Sequence, residues 1–489
     1  MSLLFEWLEK AVQRRLAGAA SGHAVIYRDT YLSWRGLLHR VERRAQEFSS
    51  MGIQARDWVG LMVGNDPEFV VIALALSKLD AVVVPIDPTT GGRDLDMTID
   101  ATPLRALVTR PYAIDPLAAP SGTLRLDGHA PTSRMAAESR HRISGTLLSC
   151  TLYPWTRPSL PAAQDAAVVL FTLDCGGDPK AVVRGPAQLR GIACALEETL
   201  DLSPQSRVLC AAPLFDCQGF DFGLLAALFQ GATLFLDDGA AGPRLAKTLL
   251  DQTISLFAAT PREFAALARL TNAKPVQKHS AHLVCSGVPL PAPVAHAFRQ
   301  RFGIPVLSCY HSSETGPAAI DLDGSAPASV GMPFAGVSIR VASSDGATLA
   351  PGTVGPIWIR GAGVSTTFLP SLPVRAGNTA VGRGVLDGWL RTGDVGHIDR
   401  SERLHLCHRE DDIVKVDRRS VALGEIESCL EGLANVKAAQ ARVEYDDEGS
   451  THIVVQVTPG GRCRPKVMLD HCAKRLAPHK VPSRIEITE

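Results

Sequence analysis

A cysteine and a histidine stand two residues apart in the sequence, at Cys309 and His311. On an extended segment, residues i and i+2 point to the same side, so these two side chains are expected to meet. An imidazole beside a thiol takes its proton and leaves a nucleophilic thiolate. The spacing therefore predicts a cysteine nucleophile, against the ordinary role of cysteine as a small buried apolar residue.

The composition limits the kind of protein that positions this pair. At 489 residues the chain is too long for one compact core. Its 50 basic residues balance 50 acidic ones, which argues against a nucleic acid or an anionic membrane surface as partner. The 11 cysteines show neither CxxC spacing nor a zinc-type histidine cluster, so no metal site is predicted. The apolar stretch Phe69–Leu76 is too short to cross a bilayer, and we expect a cytoplasmic protein with no membrane partner.

Strand-like and helix-like segments alternate along most of the chain. Short runs rich in β-branched residues predict strands at Trp58–Val63, Ala81–Pro85 and Ala167–Thr172. Amphipathic periodicity predicts helices at Arg35–Met51 and Gly185–Leu200. This alternation predicts an α/β fold with largely parallel sheets.

The pattern changes twice in the second half of the chain. Between Val337 and Arg360, alternating runs with Gly-rich turns predict a small β-barrel or antiparallel sheet. The charged segment His408–Asp412 is the predicted hinge between two domains, 1–409 and 410–489. The second domain is expected to be a small α+β unit.

Seven segments, in this order and spacing, resemble the superfamily of acyl-adenylate-forming enzymes, which includes acyl-CoA synthetases, peptide-synthetase adenylation domains and luciferases. They are Tyr31-Leu-Ser-Trp, Gly64-Asn-Asp-Pro-Glu-Phe69, Ala81-Val-Val-Val-Pro-Ile-Asp-Pro88, Ser286-Gly-Val-Pro-Leu290, Tyr310-His-Ser-Ser-Glu-Thr-Gly316, Arg391-Thr-Gly-Asp394 and Leu423-Gly-Glu-Ile-Glu427. The resemblance implies a large N-terminal domain and a small mobile lid that rotates between two half-reactions. The first joins a carboxylate to ATP, giving acyl-AMP and pyrophosphate. The second passes the acyl group to the thiol of CoA or of carrier-bound phosphopantetheine.

The phosphate-binding loop departs from the family pattern. The segment 173–181 keeps Gly177 and Lys180 but lacks the hydroxyl residues, and Asp174 and Asp178 place negative charge beside a triphosphate. The chain also ends at Glu489, before the position where the family has its catalytic lysine, so we expect a shortened lid. Lys480 matches a structural position of that motif.

Other family positions are kept. By resemblance, Tyr310 stacks on adenine, Glu314 binds magnesium, and Asp394 with Arg409 contacts the ribose. Asp411 matches the hinge position. These residues are read either as functional or as remnants retained for packing. Two arginines, Arg418 and Arg419, lie where the family has its thiol tunnel, and they are expected either to contact CoA phosphates or an acidic carrier protein or to be a solvated loop.

The acyl pocket carries further departures. Cys309 and His311 replace small residues on either side of the stacking aromatic, and Asp216 in the segment Pro213–Gln218 is the predicted third member of a Cys–His–acid triad. By resemblance, the pocket is lined by Cys217, Gln218, Gly287 and Val288. Cys217, together with Cys175 in the phosphate loop, is a weaker candidate for the nucleophile.

These departures predict an ATP-independent acyltransferase that moves an aryl group from CoA to the phosphopantetheine thiol of an acyl carrier protein, with ATP and magnesium unused. Cys309 would attack the thioester and His311 would act as base. The chain resembles the ligase-like transferases that load anthranilate in quinolone-type polyketide priming, so anthraniloyl or benzoyl is the predicted group. Three alternatives stay open: an ATP-dependent aryl- or acyl-CoA ligase with drifted motifs, an AMP-dependent transfer through acyl-AMP, and a non-catalytic binding partner.

Overall fold

A computed structural model describes residues 3–17, 22–90, 95, 98, 102–109, 139–146, 148–152, 165–173, 179–237, 242–270, 281–287, 290–326, 328–343, 346–369, 385–409, 413–416, 419–446, 450–461 and 464–488. The helices are α1 (Leu3–Ala17), α2 (Trp34–Ser50), α3 (Pro67–Lys78), α4 (Pro186–Leu200), α5 (Ala226–Gln230), α6 (Pro243–Asp251), α7 (Pro261–Ala268), α8 (Ala292–Phe302), α9 (Leu423–Glu431) and α10 (Pro465–Ala473), with a π-helix at Gly219–Leu225 and a 3₁₀ turn at Pro478–Lys480.

The strands of the N-terminal part are β1 (His23–Tyr27), β2 (Thr30–Ser33), β3 (Trp58–Met62), β4 (Val82–Pro85), β5 (Leu104–Thr109), β6 (Ser139–Arg142), β7 (Ser149–Leu152), β8 (Val168–Leu173), β9 (Pro179–Arg184), β10 (Arg207–Cys210), β11 (Thr233–Leu236), β12 (Leu256–Ala259), β13 (His282–Cys285), β14 (Leu307–Ser312), β15 (Gly316–Ile320), β16 (Met332–Pro333), β17 (Val337–Val341), β18 (Gly355–Gly361), β19 (Thr367–Leu369), β20 (Val385–Leu386), β21 (Trp389–Ile398) and β22 (Leu404–Arg409). Those after them are β23 (Ile413–Val416), β24 (Arg419–Ala422), β25 (Val436–Tyr445), β26 (Thr451–Pro459) and β27 (Arg484–Ile487).

Two large sheets form the N-terminal domain. The first has the order β16-β15-β14-β13-β12-β10-β11-β1-β2, and its strands from β14 to β1 run parallel. The second has the order β19-β9-β8-β4-β3-β5-β7-β6, with β8, β4, β3 and β5 parallel. The largest hydrophobic core includes side chains from both sheets and from α1, α2 and α3. The prediction of an α/β fold is confirmed, but both sheets are mixed, with parallel strands at the centre and antiparallel strands at the edges.

The sequence-derived elements lie where they were expected. The three predicted strands are β3, β4 and β8, and the two predicted helices are α2 and α4. Segment α2 forms a helix because Ser33 accepts a hydrogen bond from the Gly36 N–H at its start and an apolar stripe including Leu37 and Val41 is buried. The predicted all-β segment is the antiparallel sheet of β17, β18, β20, β21 and β22.

A small α+β unit follows β22, as predicted. It contains the hairpin β23–β24 and the sheet β25-β26-β27, covered by α9 and α10. Val455, Ile426 and Met468 belong to its separate buried cluster, so this unit has its own core. The predicted boundary at 409/410 falls beside residues 410–412, outside the described residues.

Gly219 keeps the chain between β10 and the π-helix compact. A Cβ atom at Gly219 would lie 2.1 Å from the carbonyl oxygen of Pro213, a distance that no side chain tolerates without backbone movement. The loop it closes carries Asp216 and Cys217, so this glycine helps to place the candidate site.

We expect Gly219→Ala to lower the free energy of unfolding by about 2 kcal/mol, because the added methyl group must displace backbone. Gly64→Ala is the matched control, since nothing lies within 4 Å of a Cβ at Gly64, and it should be neutral or stabilising by about 0.5 kcal/mol. Urea unfolding of the two variants measures the difference. Equal stabilities would contradict the close contact at Gly219.

Candidate active site

Lys180 and Glu314 form an ion pair at the centre of the site. Lys180 lies on β9 and Glu314 in the turn after β14, and the Lys180 Nζ is 2.6 Å from Glu314 Oε1. The same ammonium lies 4.1 Å from the centre of the Phe368 ring, a cation–π contact. The predicted phosphate-binding lysine and magnesium-binding acid are therefore neighbours in space.

Tyr310, Asp394 and Arg409 form a second contact group. The Tyr310 hydroxyl donates a hydrogen bond to Asp394, and Arg409 Nη1 donates to the other carboxylate oxygen at 2.9 Å. Burial and the adjacent Asp394 carboxylate raise the pKa of Tyr310 well above its usual value. The Thr392 hydroxyl oxygen accepts the Asp394 N–H at 3.1 Å.

His311 is the centre of a buried polar chain. Its Nδ1 lies 3.6 Å from the Cys217 sulfur and its Nε2 lies 2.9 Å from Asp221 Oδ2. Burial disfavours the imidazolium, but interaction with Cys217 and the hydrogen bonds to Asp221 and Cys217 outweigh it and raise the pKa of His311 to about 9. His311 is therefore a cation at neutral pH.

The predicted pairing of Cys309 with His311 is not what the structure has. Both residues lie on β14, but the register with β15 shifts between Tyr310 and His311, which breaks the simple i, i+2 alternation. The Cys309 thiol instead donates to the Tyr310 carbonyl at 3.7 Å, and burial raises the pKa of Cys309 far above that of a reactive thiol.

The predicted role of Asp216 is taken by another acid. Asp216 Oδ1 accepts the Gln218 N–H at 2.9 Å and lies 3.5 Å from the Cys217 sulfur. The two ring nitrogens of His311 are engaged by Cys217 and Asp221, which leaves neither for Asp216. The residues that meet are thus Cys217, His311 and Asp221.

Arg184, on β9 of the second sheet, binds the buried group of Cys217, His311 and Asp221 through Asp221. Its Nη1 donates to Asp221 Oδ1 at 2.7 Å, and both side chains are fully buried. Its Nε and Nη2 donate to the Ser313 carbonyl at 3.0 and 2.7 Å. Although burial would raise the pKa of Asp221, Arg184 and His311 hold it below its usual range.

Sequence reasoning missed Arg184 and Asp221. Each is a lone charge within an apolar stretch, Arg184 at the end of Ala181-Val-Val and Asp221 between Phe220 and Phe222. Because isolated charges are rarely buried without a partner, two such positions in one chain are a signal for a buried ion pair.

The remaining predicted site residues are only partly described. Gln218 is buried and donates through Nε2 to the Ala259 carbonyl at 3.1 Å. Gly287 has a φ of +90° with open space where a Cβ would stand. The positions outside the described residues are Cys175, Gly177, Val288, Asp411 and Arg418.

Arg419 joins the small C-terminal unit to the N-terminal domain. From β24 its Nε donates to Asp87 Oδ2 at 2.8 Å, just beyond β4, and its Nη2 donates to Thr89. Lys480 lies within the C-terminal unit, 3.1 Å from Glu425 on α9. Arg419 is therefore an interdomain contact, and Lys480 has a structural partner.

Among the described residues, no group of three or more His, Cys, Asp or Glu side chains has the arrangement of a metal site. Nor does any helix in the described part of the chain have the length and apolar character needed to cross a bilayer.

His311→Gln should destabilise the protein in a pH-dependent way. Because the folded pKa of about 9 exceeds the unfolded value of about 6.5, the protonated ring stabilises the fold fully below pH 6.5, and this contribution is lost as the pH rises through 9. We expect the deficit of the variant to shrink as the pH rises from about 8 to about 10, where the His311 ring loses its proton, measured by urea unfolding.

His282→Gln is the control with the opposite sign. Burial lowers the pKa of His282, so its wild-type ring destabilises the fold as the pH falls, and the deficit of this variant should shrink towards acid pH. A deficit of His311→Gln that is the same at all pH values would contradict a buried imidazolium.

The chain is similar in sequence to CoA ligases and synthases and similar in fold to a CoA synthetase. The chain is 25% identical over 486 residues to a feruloyl-CoA synthase of an Amycolatopsis species, covering 97% of this chain and 94% of the relative. It is 24% identical over 495 residues to the indoleacetate–CoA ligase of Aromatoleum aromaticum, covering 99% and 93%. The o-succinylbenzoate CoA synthetase of Bacillus subtilis has a similar fold, with a TM-score of 0.78 at 19% identity over 100% of this chain and 94% of that one.

These findings correct three expectations. The prediction of an ATP-independent acyltransferase is wrong, and so are its enzyme class and the prediction that ATP and magnesium are not used. The similar proteins are CoA ligases and synthases, and the similarity extends over nearly their whole length. The predicted ATP independence depended on the hydroxyl residues that the phosphate loop lacks, but the retained motifs cover far more of the chain. The profile of AMP-binding enzymes matches residues 12–369. The chain therefore belongs to the AMP-binding enzyme family, within the acyl-adenylate-forming superfamily.

Proposed function

We propose that the protein is an ATP-dependent acyl-CoA ligase. The observation that carries this proposal is that residues from separate elements meet at one site, where Lys180 contacts Glu314 and Tyr310 contacts Asp394. The similarity to CoA ligases over nearly the full chain supports it. A carboxylic acid attacks the α-phosphate of ATP, pyrophosphate leaves, and the CoA thiol then displaces AMP from the acyl-adenylate.

The chain's own residues have distinct parts in the proposed reaction. The Lys180 ammonium binds phosphate oxygens, while the Asp394 carboxylate, held by Tyr310 and Arg409, accepts hydrogen bonds from the ribose hydroxyls. Glu314 fits magnesium, since this ion commonly binds one or two carboxylates together with substrate phosphates. When bound, magnesium neutralises phosphate charge. Lys180 then exchanges its contact with Glu314 for a contact with the nucleotide.

We infer that the acid is aromatic. The relatives named for feruloyl and indoleacetyl substrates support this class. Anthranilate and benzoate are the first members to try. An acyl carrier protein as a binding partner, a cytoplasmic location and the domain boundary at 409/410 stay predictions.

Acid-dependent release of pyrophosphate from ATP tests the function. With benzoate, anthranilate and cinnamate derivatives, we expect pyrophosphate release that requires the acid and AMP plus acyl-CoA formation that also requires CoA. Glu314→Gln should lower kcat at least about 100-fold, because it removes a charge that acts on the reacting phosphates. Asp174 and Asp178 should give a high KM for ATP.

The control is the same variant without acid, which should equal the wild-type blank. Absence of pyrophosphate release with every acid, from protein shown to be folded, would contradict the ligase. Formation of acyl carrier protein thioester from acyl-CoA without ATP would contradict it as well.

Arg419→Ala should affect the second half-reaction more than the first. The Arg419–Asp87 contact holds the small unit against the N-terminal domain, and by family resemblance this unit changes position between the half-reactions. We expect single-turnover transfer from acyl-AMP to CoA to slow about tenfold, with pyrophosphate release changed less than twofold.

Asp87→Ala should reproduce this effect, and the double variant should be no worse than either single one. Arg442→Ala is the matched control, because Arg442 is ion-paired with Glu444 and Glu486 inside the small unit. Equal slowing of both half-reactions by Arg419→Ala would contradict the assignment.

A further inference from the structure

Three buried thiols near the site have different hydrogen-bond partners. Cys210 lies 3.2 and 3.7 Å from two backbone carbonyl oxygens, and Cys309 lies 3.7 Å from one. A carbonyl oxygen accepts the S–H proton and therefore favours the neutral thiol. Cys217 also has an oxygen acceptor, Asp216 Oδ1 at 3.5 Å, but unlike the other two thiols it lies 3.6 Å from the Nδ1 of His311, a group that can take the proton.

The His311 ring is positioned to hold that proton. Its second nitrogen is fixed by Asp221 at 2.9 Å, and Asp221 is fixed by Arg184 at 2.7 Å. The His311 side chain is 1% exposed and those of Asp221 and Arg184 are fully buried. A thiol, an imidazole and an orienting carboxylate in this order form the arrangement that activates a cysteine nucleophile.

We propose that Cys217 is a nucleophilic thiolate and that the site is covalently modified there by small uncharged carbon electrophiles. The thiolate attacks the electrophilic carbon. With an alkyl halide, the S–C bond forms, the carbon–halogen bond breaks, halide leaves, and the proton stays on His311.

One charged group opposes this state. Asp216 Oδ1 accepts a hydrogen bond from the Cys217 S–H at 3.5 Å, and a carboxylate disfavours a neighbouring thiolate. Asp216 is, however, partly exposed and receives the Gln218 N–H at 2.9 Å, so solvent and this hydrogen bond reduce its effect. The charged groups around the Cys217 sulfur are thus Asp216 from the same loop, His311 from β14, Asp221 from the π-helix and Arg184 from β9. The three buried groups decide the balance between thiol and thiolate.

A group attached to Cys217 would lie in the predicted acyl pocket. His311 directly follows Tyr310, and Cys217 lies between Asp216 and Gln218 in the predicted acyl pocket. Cys217 is 8% exposed, so the reagent must be small and uncharged to reach it. The thiolate itself is inferred from side-chain geometry and does not depend on the proposed ligase activity.

Alkylation by iodoacetamide of the native full-length protein tests the proposal. Aliquots are taken between pH 6 and pH 9, unfolded, blocked with an isotopically distinct reagent, and each cysteine is quantified by peptide mass spectrometry. We expect Cys217 to react about tenfold faster than Cys210 at pH 7, because an ordinary thiol is only a few per cent ionised there. Its rate should be nearly independent of pH, whereas ordinary thiols react faster as the pH rises.

His311→Gln removes the base while keeping a side chain of similar size. In this variant, alkylation of Cys217 should slow about tenfold at pH 7 and rise with pH like that of an ordinary thiol. His282→Gln is the matched control, since His282 begins β13 and the imidazole beside Cys217 belongs to His311, and it should leave the rate unchanged.

The proposal is overturned if the wild-type rate at Cys217 rises with pH like an ordinary thiol, if it does not exceed that of Cys210, or if His311→Gln leaves it unchanged. Because Cys217 is slightly more exposed than Cys210, at 8% against 2%, the rate ratio alone is not decisive, whereas the pH profile is. If His311→Gln does not fold, the wild-type profile decides. Loss of pyrophosphate release, by contrast, bears only on the ligase.

Discussion

The fully buried contact between Arg184 and Asp221 is the interaction on which the site depends. Arg184 ends β9 in the second sheet, and its guanidinium also binds the Ser313 carbonyl after β14 of the first sheet. Removing either charged partner leaves the other buried without compensation, a loss of several kcal/mol. Glu314 directly follows Ser313, whose carbonyl Arg184 binds. The buried contact therefore fixes the two sheets, and with them the predicted phosphate-binding residues, relative to one another.

A buried ion pair is expensive to desolvate, and it is tolerated here because its hydrogen-bonding capacity is used. Arg184 donates to Asp221 and to the carbonyls of Ser312 and Ser313, while Asp221 also receives the ring of His311. Full satisfaction of this kind gives a rigid local geometry. The π-helix that carries Asp221 fits this picture, because π-helical turns often occur at functional sites, where they re-aim a side chain.

Much of the fold and the nucleotide side of the site could be predicted from the sequence. Tyr310, Glu314 and Asp394 belong to local motifs whose spacing identifies them, and β3, β4 and α2 follow from periodicity. The partner of His311 could not be predicted, because it depends on a register shift within β14–β15 and on a loop nearly a hundred residues away. The predicted reaction is wrong because the changed residues of the phosphate loop, 173–181, are few beside the family motifs that run along the rest of the chain.

The contact between Arg419 and Asp87 has a consequence for how the enzyme responds to its medium. The Arg419 side chain is 34% exposed and that of Asp87 15%, so dissolved ions reach this pair, unlike the one at Arg184. Screening weakens exposed pairs and leaves buried ones nearly unchanged. Ionic strength therefore acts on the attachment of the small unit while the buried contacts around Arg184 stay intact. In the proposed ligase, the balance between the two half-reactions thus becomes a property of the surrounding electrolyte.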